Sequence, residues 1–368
     1  MKSKVWFADA RARNERESLI AKTQRLFEVS GTKDLIREGD IVAIKVHMGE
    51  WGNTRALRPQ FIRAVVEKVV ECGGLPFVTD TTTLYRGDRE NAIKYLKMAA
   101  KNGYTQETLG APIIIADGLR GDDGVKVRID GPEIKEIEVA RCIVDSDVMI
   151  VLTHFKGHEM SGFGGSIKNV AMGCFTKKSK AIQHQSSKPM IDETLCVGCG
   201  KCANVCPNNA IRILENKARI DYAVCTGCGE CVTVCERNAI KLERVLSKNL
   251  QARMAECMLA IKKLGIKCSY FNFLLDITPH CDCVGWSDLP IVPDIGILCS
   301  LDPVAIDKAS LDLVYRTVGI KGSRAEEAGV LEENTDKFSR MFGIDVYHQI
   351  EVGEKLGLGS SEYELIRI

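Results

Sequence analysis

One short unit is written twice between Asp192 and Glu243, and it constrains this chain more than any other feature. Cys196-x2-Cys199-x2-Cys202-x3-Cys206 returns as Cys225-x2-Cys228-x2-Cys231-x3-Cys235, and each copy leaves through Asn-Ala-Ile, at 209–211 and again at 238–240. A C-x2-C-x2-C loop folds its backbone round three corners of a compact body and turns amide N–H groups toward the sulfurs. A cubane iron–sulfur cluster then needs a fourth thiolate from elsewhere. Paired C-x2-C units also build zinc ribbons, the other chemistry open to this spacing.

The run resembles the bacterial two-cluster ferredoxins, in which the last cysteine of each run ligates the other cluster. That resemblance implies two [4Fe-4S] clusters, one on Cys196, Cys199, Cys202 and Cys235 and one on Cys225, Cys228, Cys231 and Cys206. Pro207 follows the first run as in that family, but Glu236 takes the place of the second proline. A carboxylate there disfavours an added electron and predicts the lower potential for the cluster that Cys235 holds.

With 368 residues there is room for more than this insert. A net charge of +1 and an apolar content of 45% give no basic excess for nucleic acid or anionic membrane, and no run reaches the length of a membrane span. The Lys177–Lys180 run reads as a solvated loop. Sixteen cysteines without a secretion signal, eight of them outside the repeat, point to a reducing cytoplasm, and the clusters to an anaerobe.

Apolar runs at 5–8, 41–47, 75–79, 112–116 and 147–152 alternate with helical periodicity at 15–30, 59–72 and 90–102. After the repeat the style resumes, with helices at 246–264 and 303–318, strands at 268–275 and 294–299, and an edge strand at 363–368. Asp302-Pro303 fits the N-cap and first turn of the later helix. The pattern predicts an α/β fold with a largely parallel sheet flanked by helices and the cluster module inserted. Residues 1–187 and 246–368 supply the α/β domain and 188–245 the module. A separate C-terminal domain is the alternative.

A glycine-rich segment leaves the strand at 147–152 and enters a helix, which is where open α/β sheets place ligands. It carries His154, Lys156, His158, the Gly162-Phe163-Gly164-Gly165 turn and Lys168, with His184 downstream. The spacing matches neither the dinucleotide nor the phosphate-loop pattern. Free amides at the helix start beside Lys156 and Lys168 suit a small anion. Further on, Thr278-Pro279-His280-Cys281-Asp282-Cys283 follows another strand. In an extended segment Cys281 and Cys283 point the same way, as a soft-metal chelate, an edge of a further cluster or a redox pair, with Cys174 as a third thiolate; a disulfide closed within such an extended segment would be strained. Ordinary buried thiols are the plain alternative.

His158, Gly162–Gly165, Lys168-Asn169, Met172-Gly173, His184, Thr278-Pro279, Cys281-Asp282-Cys283 and Asp302-Pro303-Val304-Ala305-Ile306-Asp307 resemble the DUF362 proteins over nearly the whole chain, a family often fused to a ferredoxin module. The spacing His158-x3-Gly162-Phe163-x-Gly165-x2-Lys168 with His184 is fainter and is similar to lactate racemase proteins. That similarity implies His158 as a proton-transfer base, Lys168 as the holder of a nickel-pincer cofactor and His184 as a metal ligand; here Asn169 follows the lysine.

Together these readings predict an iron–sulfur oxidoreductase. Electrons pass from a redox partner protein through two clusters to a site of His154, His158, Lys168 and His184, with Gly162, Gly164 and Gly165 shaping it, Cys281 and Cys283 as an additional metal or cluster site, and a small anion as substrate. The competing class is a non-enzymatic carrier of electrons, metal or sulfur that docks on a larger oxidoreductase. A racemase-like isomerase is the third reading.

Overall fold

The computed structural model describes residues 2–185, 188–241 and 244–368. Ser187 and Glu243, which close the first flank and the repeat in the sequence reading, lie outside the described residues. The strands run in chain order β1 (Ser3–Asp9), β2 (Ile41–Val46), β3 (Leu75–Asp80), β4 (Ile113–Ile115), the hairpin β5 (Gly124–Arg128) and β6 (Glu136–Ala140), β7 (Val148–His154), and the hairpin β8 (Lys156–His158) and β9 (Gly162–Gly164). Four short strands follow, β10 (Met190–Ile191), β11 (Ile211–Leu214), β12 (Lys217–Ile220) and β13 (Ile240–Lys241), then β14 (Lys267–Leu274), β15 (Gly296–Ser300) and β16 (Tyr363–Arg367).

Eight strands form one sheet in the order β16-β1-β15-β14-β7-β2-β3-β4. Pairing is antiparallel only on the two sides of β15; the other neighbours are parallel. The fold is therefore α/β with a largely parallel sheet and helices on both faces. Strands from before and after residues 188–241 share it. β7 lies between β14 and β2 with every residue buried, so Val148–Leu152 reads as an unbroken apolar run rather than an alternating one. Met149 and Val151 face one core with the helices Ser166–Gly173, Arg244–Leu264 and Pro303–Arg316. Val148, Ile150 and Leu152 face the other, with the helices Leu19–Val29, Pro59–Glu71 and Ala92–Lys101.

Three details differ from the sequence reading. The helix expected from Glu15 begins at Leu19, because Ser18 turns extended and its hydroxyl accepts the Ala21 amide at 3.2 Å, after a 3-10 turn at Glu15–Glu17. The Lys177–Lys180 run is not a solvated loop: it opens the helix Lys177–His184, and Lys180 is buried, with its ammonium on Thr81 Oγ1 at 2.7 Å and on the Thr82 carbonyl. The β5–β6 hairpin was not foreseen. Among the described residues no helix is long and apolar enough to cross a membrane.

The repeat folds with an internal symmetry. β10 pairs antiparallel with β13, and β11 with β12. The Cys196 amide bonds the Asp192 carbonyl and the Cys225 amide the Asp221 carbonyl, both at 3.0 Å, while Asp192 N–H reaches Ala239 and Asp221 N–H reaches Ala210, both at 2.7 Å. Gly200 and Gly229, each just before a short helix, take φ of +80° and +78°, a left-handed turn that explains glycine at the same place in both copies.

Asp302 caps the helix Pro303–Arg316 through the amides of Val304 and Ala305, and its other oxygen holds Ser3 Oγ and the Ser360 amide, so the same carboxylate ties β1 and the chain leading to β16. Asp302→Ala is expected to cost about 2 kcal/mol, the upper range for a lost cap. A lower urea midpoint with an unchanged slope checks it.

Candidate functional site

β2, β3 and β7 end on the same side of the sheet, and a cavity of about 130 Å³ opens above their carboxyl ends. Lys45 reaches it from β2, His47 from just past that strand's end, Asp80 from β3, Lys156 and His158 from the β8–β9 hairpin, and Lys168 from the helix Ser166–Gly173. Lys180 and His184 come from the next helix, Cys283 from the segment after β14, and Cys228, Gly229 and Glu230 from the second cysteine unit. The glycine-rich segment is not a simple loop: β8 and β9 pair through Lys156↔Gly164, Gly157↔Phe163 and His158↔Gly162, and the hairpin turns His158 and Lys156 back over the strand end. Gly162 at φ +80° allows that turn, and Gly164 and Gly165 line the cavity.

The expected free amides at the helix start are taken. Asp307 accepts from Ser166 N at 2.7 Å and Ile167 N at 3.0 Å, and also from Asn272 Nδ2 at 2.8 Å. A side chain at Gly165 would meet its carboxylate at 2.4 Å. The chain therefore satisfies this helix with its own anion, and any bound anion must rely on side-chain cations. These are plentiful: Lys45, Arg89, Lys156, Lys168 and Lys180 line the cavity against the carboxyl groups of Asp80, Glu159 and Glu230.

His158 Nδ1 accepts from Met160 N at 3.1 Å and Ser161 N at 3.2 Å, which leaves the proton of the neutral ring on Nε2. Burial first, then Lys168, hold its pKa well below the usual imidazole value. His184 bonds the Gly227 backbone in the second cysteine unit; its Nδ1 is buried without a partner, and burial with Lys168 brings its pKa down to about 4. His154 is not brought to the cavity. Its ring nitrogens face Asp282 Oδ2 at 2.9 Å and the Leu275 carbonyl at 3.0 Å. Asp282, fully buried, also takes Lys156 Nζ at 3.2 Å. Burial alone raises a carboxyl pKa; His154 and Lys156 reverse this and hold Asp282 at about 2.

Cys281 and Cys283 lie in a turn rather than an extended segment, since Val284 N–H returns to the Cys281 carbonyl at 3.2 Å. The turn still gathers their sulfurs, which lie with a His158 ring nitrogen within 4.8 Å of one another. Lys168 Nζ donates to Cys281 Sγ at 3.3 Å. The hydrogen bond from Cys283 and then the two lysines hold Cys281 well below the usual thiol pKa, and the same bond holds Cys283 above it. The Lys168 ammonium therefore favours the ionised form of Cys281 over that of Cys283. Burial opposes the Lys168 charge, but Cys281 outweighs it and keeps the lysine protonated. Cys174 is not the third thiolate: it is buried in the core against Met149 Sδ at 3.6 Å, where burial pushes its pKa up to about 12.

In the repeat, Cys196, Cys199, Cys202 and Cys235 line one space of about 190 Å³. Cys206, Cys225, Cys228 and Cys231 line another of about 20 Å³. Backbone amides of Ala210, Ala218 and Ala239 donate to the sulfurs of Cys206, Cys196 and Cys235 at 3.2–3.3 Å. Glu236 is ion-paired with Lys201 of the first unit, so its charge is not left beside the sulfurs uncompensated.

Residues 42–312 match the domain of unknown function DUF362. The chain belongs to the DUF362 family. It is also 28% identical over 181 residues to a thylakoid-associated protein of Synechocystis, an alignment covering 47% of this chain and 51% of that one, so the chain spans about half the length of the curated relative it matches. Among solved structures, the lactate racemase apoprotein of Thermoanaerobacterium thermosaccharolyticum superposes with a TM-score of 0.38 at 13% identity, covering 75% of this chain and 51% of that one. A Thermotoga maritima protein superposes with a TM-score of 0.39 at 12% identity, covering 76% and 55%.

The sequence reading missed Arg89, Asp80 and Lys180. Arg89 donates to His47 Nε2 at 2.8 Å and pairs with Glu50 at 2.9 Å, while Lys45 joins Asp80 at 3.1 Å and Asn169 Oδ1 at 2.6 Å. The available signal was a lysine inside the apolar run of β2 and an aspartate at the end of β3. Removing the charge that holds Lys156 and His154 leaves both buried groups uncompensated. Asp282→Asn is expected to destabilise by about 3 kcal/mol, as for other broken buried pairs, read as a fall in the urea midpoint.

Proposed function

We propose that this chain is an iron–sulfur redox protein that brings electrons to a small-anion site at the sheet's carboxyl edge. Cys196, Cys199, Cys202 and Cys235 would hold one [4Fe-4S] cluster and Cys225, Cys228, Cys231 and Cys206 the other, each supplying single-electron chemistry. Two spaces lined by four thiols apiece, with amide N–H groups on three of the sulfurs, suit that donor set. The smaller space takes a cubane only if its loops part. The observation that carries the reading is the shared wall: Cys228 of the second unit borders the same cavity as His158, Lys168, His184 and Cys283. Cys199 of the first unit is exposed, which suits entry of electrons from a partner protein.

The chain's own groups then have distinct tasks. The lysines and Arg89 attract and hold the anion, the Nε2–H of His158 donates to it, and neutral His184 offers a buried acceptor nitrogen to a proton. The carrier reading, with exposed clusters and no substrate, keeps the exposure of Cys199 as its support but leaves the cation-lined cavity without a task.

Iron and acid-labile sulfide counts on protein purified without air are expected near eight of each per chain, falling by about half in Cys228→Ser. Zinc in place of iron would sink the reading. A second expectation concerns pH. Burial lowers the Lys180 pKa to about 8, against the pull of Asp117 and Asp80, so the charge is present at pH 7 and lost above about 8. Two of its three N–H groups bind Thr81 and Thr82, which leaves one for the cavity. Affinity for sulfate or a short carboxylate should fall about tenfold between pH 7 and 9, the worth of one charged hydrogen bond, and Lys180→Met should flatten that limb in calorimetric titrations. A flat profile in the unaltered protein removes Lys180 from anion binding.

A further inference from the structure

Three donors around Cys281 invite a metal: His158, Cys281 and Cys283 offer atoms within 4.8 Å of one another. The groups that touch these donors do not suit one. A metal-bound histidine donates its other ring N–H to an acceptor, whereas His158 Nδ1 accepts two amides, so the neutral ring presents Nε2–H and no lone pair to the sulfurs. The ammonium of Lys168 at 3.3 Å from Cys281 Sγ, with Lys156 nearby, already compensates a thiolate and repels a divalent cation. What remains is a pair of thiols two residues apart in a turn, their sulfurs within 4.8 Å of each other, with Cys283 on the cavity wall. Residues two apart span at most about 7 Å even when extended, and the turn shortens this to within the reach of a disulfide.

We propose that Cys281 and Cys283 form a two-electron dithiol–disulfide couple facing the anion cavity. The inference rests on the redox reading of this site, and does not require the clusters to be its reductant. In the oxidised state the two sulfurs share a covalent bond. Two electrons from an external dithiol, or from a low-potential one-electron carrier acting twice, break that bond. Cys283 takes one proton, and Cys281 stays a thiolate against the Lys168 ammonium. Re-formation of the bond returns two electrons and one proton to a two-electron-accepting anion in the cavity. Lys168 is here a positioning residue for the sulfur, because it stabilises the reduced form and so raises the potential of the couple, as thiolate stabilisation does in strongly oxidising disulfides.

The test equilibrates the air-free holoprotein in dithiothreitol buffers of graded redox ratio, quenches with iodoacetamide, and reads alkylation at Cys281 and Cys283 by peptide mass spectrometry. Both sites are expected to lose label together in one two-electron transition. In Lys168→Gln the midpoint should need about a tenfold more reducing dithiothreitol ratio, about 30 mV, with Lys168→Arg restoring most of the shift. If both sulfurs stay alkylated at every ratio, or a stoichiometric metal leaves only in Cys281→Ser, the couple is overturned. Should Lys168→Gln fail to fold, the transition in the unaltered protein decides alone. Iron counts on the same samples keep the two claims apart: a transition at Cys281 and Cys283 in protein without iron supports the couple while it removes the clusters.

Discussion

A single buried carboxylate, Asp282, holds the two halves of the candidate site together. It joins the end of β7 through His154 to the turn after β14 and takes Lys156 from the β8–β9 hairpin, all of them buried. Taken alone, each partner would be costly in this interior, and only the set is stable. This explains why aspartate sits between two cysteines: the charge fixes the turn, and the turn presents the sulfurs. His154, expected to act on substrate, is used up in the same network.

The cavity is built on an imbalance of charge, since its lysines and Arg89 outnumber its carboxyl groups. The helix start that an open α/β sheet usually offers to a ligand is filled by Asp307, which comes from the helix Pro303–Arg316. The consequence for recognition is specific. Backbone amides would grip an anion of any shape at one fixed point, whereas under the proposed function five long cationic side chains would read it from several sides and could be tuned one at a time.

Much of this was legible in the sequence, and the parts that were not share a cause. The alternation of strands and helices, the parallel style of β2, β3 and β7, the N-cap at Asp302 and the edge strand β16 follow from periodicity and capping, which are local. His158, Lys168, His184 and Cys283 were found because glycine and cysteine spacing marks unusual backbone, and the cavity does gather them. Arg89 and Asp80 carry no local mark. They matter because β2 and β3 end side by side, a fact of topology. The Lys177–Lys180 run misled for the converse reason: charge suggests solvent, but Thr81 and Thr82 supply buried acceptors that only the fold brings near. Asp307 belonged to a recognised motif, yet its work lies on a helix 141 residues away in the chain.

The repeat is symmetric in sequence and unequal in setting. Gly200 and Gly229 share the left-handed turn, but a side chain at Gly200 would meet nothing within 4 Å, while one at Gly229 would lie 2.3 Å from Met160 Sδ. The second glycine is therefore demanded twice, once by its φ and once by the β8–β9 hairpin pressed against it. The same approach brings Gly227 to His184 and Cys228 to the cavity wall, while Cys199 of the first unit stays exposed. With Cys199 exposed and Cys228 on the cavity wall, the duplicated unit has unlike ends, and under the proposed function a direction, from solvent toward the site. That direction is what a conduit requires and what a free-standing carrier, with two equivalent ends, does not.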